Sequence, residues 1–156
     1  VGADGGVDAI RKSLYRPMRP DQLPDFVLPL DVVQQGRRVV FAPDAVLQEE
    51  ALSENKSEYR MRVRVALRAF WALRDKRGLL NPLRTGIFAW QLFSHKVMRY
   101  LAFLPLLLAA IGIRRVAGTE LPTYSHYFAL LNWASAVAFL GFLRGEKKVL
   151  WQPRQG

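Results

Sequence analysis

LAFLPLLLAAIGI (Leu101–Ile113) and YFALLNWASAVAFLGFL (Tyr127–Leu143) are uncharged from end to end, and their reading decides the fold. Extended back to Val97, the first takes in only Arg99, whose long side chain can snorkel. Each run then reaches about 17 residues, near the short end for a bilayer span. Neither shows the polar face that a helix on a soluble surface carries. The connection, 114–126, is short and holds Pro122, which suits a hairpin loop. Arg84, Lys96 and Arg99 precede the pair and Arg144, Lys147, Lys148 and Arg154 follow it, against Arg114 and Arg115 in the loop. The positive-inside rule then predicts a two-helix transmembrane hairpin in the inner (plasma) membrane, multi-pass, with both termini cytoplasmic. Two buried helices of a soluble all-α protein are the competing reading. That reading demands a core larger than a chain of this length covers.

Working back from the hairpin, Thr85–Lys96 (TGIFAWQLFSHK) sets Ile87, Trp90 and either Phe93 or Leu92 on one side, as an aromatic-rich amphipathic helix at a membrane interface does. Before it, a helix begins near Ser53 and carries Arg60, Arg62, Arg64 and Arg68 among apolar residues until Arg77-Gly78 and Pro82 stop it. The first 58 residues read as α/β. Val7–Leu14 predicts a short helix, and Pro17, Pro20 and Pro24 break the next stretch into loop. Asp25 to Gln35 predicts a second helix, with Asp25 as N-cap and Gly36 as its C-terminal stop. Arg37–Ala42 (RRVVFA) predicts a strand, and Ala45–Ala51 a further one. The expected organisation is therefore an α+β membrane protein in four parts: 1–58, the arginine-rich and amphipathic helices of 59–100, the hairpin of 101–143, and a basic tail, 144–156.

The 156 residues hold 23 Lys and Arg against 13 Asp and Glu, a net charge of +10, with no Cys and two His. Thiolate chemistry, disulfides and Cys-ligated metals are excluded, and His95 and His126 alone cannot build a metal site. The positive charge raises nucleic acid as a partner, but the arginines interleave with aliphatics and match no nucleic-acid motif, so no nucleic-acid partner is expected.

Three candidate sites stand out, each with a plainer alternative. Asp25 at the head of a helix is either a cap or an exposed carboxylate available as a general base. Arg62 and Arg64 belong either to a solvated basic face or to a clamp on diphosphate oxygens, which guanidinium forks bind bidentately. Gly2, Ala3, Asp4 and Gly5 form a permissive turn, and as a phosphate cradle it lacks the Gly-Lys-Ser/Thr of a P-loop.

VGADGGVDAIRKSLY, LPDFVLPLDVVQQGRRVVFAPDAVLQEEA, YRMRVRVALRAFWAL and LLNPLRTGIFAWQLFSHKVMRYLAFL follow one another in this order, before a basic tail, RGEKKVLWQPR. In that order and spacing the chain resembles the C-terminal half of a membrane-integrated family-two glycosyltransferase, the bacterial polysaccharide-synthase group that includes cellulose and hyaluronan synthases. The resemblance implies that 1–58 is the end of a GT-A-type catalytic domain. It implies an inverting transfer of sugar from a nucleotide-sugar donor, UDP-linked, to a glycan or lipid acceptor at the membrane. Gly2, Ala3, Asp4, Gly5 and Arg11 would line the acceptor side, and Asp25 would be the catalytic base. Arg64 would be the arginine of the Gln-x-x-Arg-Trp motif, with Arg62 sharing the diphosphate. Pro24, Met61 and Val65 depart from the family's acidic residue, Gln and Trp. The intact enzyme would use Mg or Mn held by an Asp-x-Asp motif, which this sequence lacks. The chain is thus expected to be a C-terminal fragment or a subunit of a split enzyme, inactive without the donor-binding half. The competing function is a non-enzymatic two-span membrane protein whose basic region binds anionic lipid or a partner protein.

Overall fold

The computed structural model describes residues 8–46, 55–108 and 125–148. A single 3-10 turn (Lys12–Leu14) precedes α1 (Pro24–Gln34). The long α2 (Asn55–Asp75) follows, then a 3-10 turn (Arg77–Leu80) and the short α3 (Pro82–Thr85). α4 (Ile87–Leu92) passes through one π turn (Phe93–Val97) into α5 (Met98–Leu101). Helical backbone resumes over 103–108, and α6 (Ser125–Leu143) is the last helix.

α2 is the spine because its apolar residues fall on two faces. Ala69, Ala72 and Leu73 meet Phe26, Val27 and Leu30 of α1, together with Leu79 and Leu92. Val63, Ala66, Leu67 and Phe70 meet Ala134 and Ala138 of α6. Small residues let the α6 backbone come close. At Gly141 an added Cβ would lie 3.7 Å from Leu67 and 3.0 Å from the Glu146 carboxylate. Phe70 fills the space beside the alanines, with ring centroids 5.3 Å from Phe139 and 5.8 Å from Tyr100.

Two expectations are corrected. The α+β reading gives way to an all-α arrangement, with no strand among the described residues. RRVVFA lies between a helix stop and a turn, and a strand needs a neighbour to complete its hydrogen bonds. Among the described residues none of Arg38, Val39, Val40 or Phe41 makes a backbone hydrogen bond, and Val40 and Phe41 stay 84% and 88% exposed. Ala45 and Val46 also lack strand pairing, and the rest of that expected strand lies outside the described residues, as does Val7 of the first expected helix.

The transmembrane hairpin is the second correction. No helix among the described residues is long and apolar enough to cross a membrane. In the first run the helix breaks at Ala102, three positions before Pro105. A proline supplies no N–H and crowds the carbonyl four residues back, here that of Leu101. Residues 109–113 lie outside the described set. The second run spends its smallest residues on α2, and its polar Asn132 and Ser135 bond back to the carbonyls of Phe128 and Leu131 at 2.8 and 3.0 Å.

Both long-range helix stops use a glycine in the left-handed region. Gly36 (φ +71°) donates to Val33 O, and Arg37 N–H donates to Val32 O. Gly145 (φ +78°) donates to Phe142 O, and Glu146 N–H donates to Gly141 O. This pair of bonds is the Schellman stop. It turns residues 146–148 back along α2. There Trp71 Nε1 donates to Glu146 O (2.8 Å) and Arg68 Nε donates to Lys148 O (2.9 Å). The described part of the expected basic tail is thus docked on the spine.

Candidate functional site

Leu23 is the N-cap of α1 and Pro24 sits at its first position, where no N–H is needed. That corrects the expected capping role of Asp25 and places it in the first turn. Its carboxyl is partly buried. Burial raises its pKa above the ordinary carboxylate range, although the N–H groups of Asp25 and Phe26 and the charge of Lys96 pull the other way, and Asp8 adds to the rise.

Lys96 comes from the π turn. Its ammonium stands 4.9 Å from the centre of the Phe26 ring. Burial lowers its pKa, Arg99 lowers it further, and Asp25 partly restores it. Tyr100 lies one turn on. Its burial raises the phenol pKa, and the charges of Arg99, Asp25 and Arg62 all reach it. The charges of Asp25 and Lys96 therefore act on one another, and those of Asp25 and Arg62 both reach Tyr100.

Arg62 and Arg64 are not brought together. Two positions on a helix differ by about 200°, so the side chains leave opposite sides of α2. Arg62 pairs with Glu58 (2.6 Å) and faces Tyr100, whereas Arg64 is close enough to Arg68 to lower that residue's pKa after burial, the larger cause. Gly2, Ala3, Asp4 and Gly5 lie outside the described residues. Arg11 is exposed and lines an open groove of about 490 Å³ with Asp8, Arg37 and Arg38. The sequence reading missed Lys96 as a site residue. The π turn that aims it is a known mark of functional positions but has no local sequence signature.

The chemistry available at Asp25 is proton acceptance, with the charge of Lys96 reaching its carboxyl. A divalent metal fits poorly here. Among the described residues no three His, Asp or Glu side chains are grouped to hold one, so no step is assigned to Mg or Mn. Ile87 and Trp90, 77% and 66% exposed, form with Leu83 and Phe93 an apolar stripe on the outer side of α3 and α4. Comparison with protein-family models, with curated proteins and with solved structures gave no match.

Proposed function

We propose that this chain is the acceptor-side part of an inverting glycosyltransferase, resembling family two, that moves a sugar from a nucleotide-sugar donor to a glycan or lipid acceptor at a membrane surface. The observation that carries the reading is the partly buried Asp25 carboxyl in the first turn of α1, where burial raises its pKa against the charge of Lys96. The acceptor hydroxyl gives its proton to Asp25 as its oxygen attacks the anomeric carbon. The bond from that carbon to the nucleotide diphosphate breaks on the opposite face, and the configuration inverts. Lys96 and Arg62 offset the negative charge of the departing diphosphate. The donor site belongs to a partner half or subunit, which also supplies any metal. The stripe of Leu83, Ile87, Trp90 and Phe93 seats the chain on the bilayer interface.

The test is Asp25→Asn in membranes where the chain works with its donor-binding half, with nucleotide diphosphate release as the readout. Transfer should fall by about 10²–10⁴-fold with the fold intact. Wild-type rates from a well-folded variant would overturn the reading. They would favour the non-enzymatic alternative, a basic protein held at the membrane by the same apolar stripe.

A further inference from the structure

Among the described residues, the groove beside Arg11 gathers three arginines and a single carboxylate. Arg11 comes from the segment before the 3-10 turn, and Arg37 and Arg38 from the segment after the α1 stop. Among the described residues none of the three makes an ion pair, and Asp8 is the one carboxylate on the lining. Among the described lining residues, three cations against one anion leave an excess of two positive charges around a single cavity. Other arginines, Arg77 and Arg144 included, also lack a carboxylate partner among the described residues, but the groove brings three to one cavity. Apart from Ser13, the other lining side chains are apolar and include Val32, Val39 and Val40. Among the described residues no aromatic side chain lines the groove, so the stacking surface that single-stranded nucleic acid uses is not present there.

We propose that this groove binds the phosphate or diphosphate head of an amphiphile. The arginine forks take the phosphate oxygens, and the valine wall takes the first part of the apolar chain. Asp8 lines the groove, and its charge adds slightly to the rise of the Asp25 pKa. On the transferase reading, the ligand is the acceptor or carries it. The role as acceptor rests on that reading. The binding does not.

The test uses the full chain with two probes, sodium pyrophosphate in solution and phosphatidylcholine vesicles made with or without phosphatidic acid. Arg11→Gln, Arg37→Gln and Arg38→Gln, all at exposed positions, should each weaken pyrophosphate binding by about tenfold, the loss of one charged bidentate contact. Arg77→Gln and Arg144→Gln, exposed arginines outside the groove, should leave it unchanged. Val40→Ser should spare pyrophosphate binding and reduce the preference for phosphatidic acid vesicles. Equal losses in the two outside variants would overturn the proposal in favour of diffuse charge. Groove-dependent pyrophosphate binding with no effect of Val40→Ser on vesicles would overturn the amphiphile and leave a site for a free anion. Intact groove binding in a chain whose Asp25→Asn variant still transfers sugar would sink the acceptor role alone.

Discussion

Asp25 is held between opposing influences, and their balance sets what its replacement should do. Burial outweighs the two backbone N–H groups and Lys96, so its pKa in the folded chain lies above the unfolded value. Such a group stabilises the fold fully below the unfolded carboxylate pKa, and that contribution is lost as pH rises through the raised folded pKa. Asp25→Asn should therefore be at least as stable as the parent at neutral pH, with the difference shrinking in acid. Urea midpoints taken across the carboxylate range check this, and a variant less stable at neutral pH than in acid, relative to parent, would contradict it. The place of Asp25 near a helix start was legible, because Pro24-Asp25 precedes an apolar run. Its protonation balance was not. That balance comes from Lys96, 71 positions away in sequence, and from burial by elements that no local pattern announces.

At the scale of the element, the junction of α1 and α2 rests on an ion pair the sequence reading passed over. Asp31 is buried in α1 and accepts from Lys76 Nζ just beyond α2, and the same ammonium donates to Gln34 Oε1 at 3.0 Å. Lys76→Met leaves the carboxylate buried without its cation, which should cost about 3–5 kcal/mol in chemical denaturation. A cost under about 1 kcal/mol would mean that water replaces the lysine. Gly145→Ala tests the stop of α6. A left-handed φ costs an L-residue roughly 1–2 kcal/mol, and amide exchange should rise at Glu146 through Lys148 as the tail comes away. The stop at Gly36 could be read in advance, since glycine after a helical run is a strong local signal. The RRVVFA strand could not be settled that way. Its residues favour β structure, but pairing depends on a neighbour, and among the described residues none is beside it.

Across the whole molecule, α6 shows why an uncharged run is an ambiguous signal. Read by hydropathy, 127–143 suggests a span. Read by size, Ala134, Ala138 and Gly141 repeat at helical spacing and mark the face that packs on α2. Beyond α6, the tail closes the structure on Asp21, which accepts from Arg19 at 3.0 Å and lies 3.3 Å from Lys147. Burial pushes the Asp21 pKa up, but the hydrogen bonds from Arg19 and Lys147 outweigh it and hold it low. Its stabilising contribution is present above the unfolded pKa and lost as pH falls through the depressed one. Acid should therefore free the tail before α2 unfolds, seen as a change in Trp71 fluorescence ahead of the loss of helical circular dichroism. Coincident transitions would rule that out. Trp71 lies between Arg74 and Lys147, at 5.0 and 5.1 Å, and donates to Glu146 O.

The same clasp joins positions 75 and 80 residues apart. On a ribosome adding about 5–20 residues per second, the α2 face waits roughly ten seconds for the segment that covers it. During that interval Val63, Leu67 and Phe70 are bare on a nascent chain. Its yield in a cell is then set by whatever shields that face during synthesis, as much as by the stability of the finished fold.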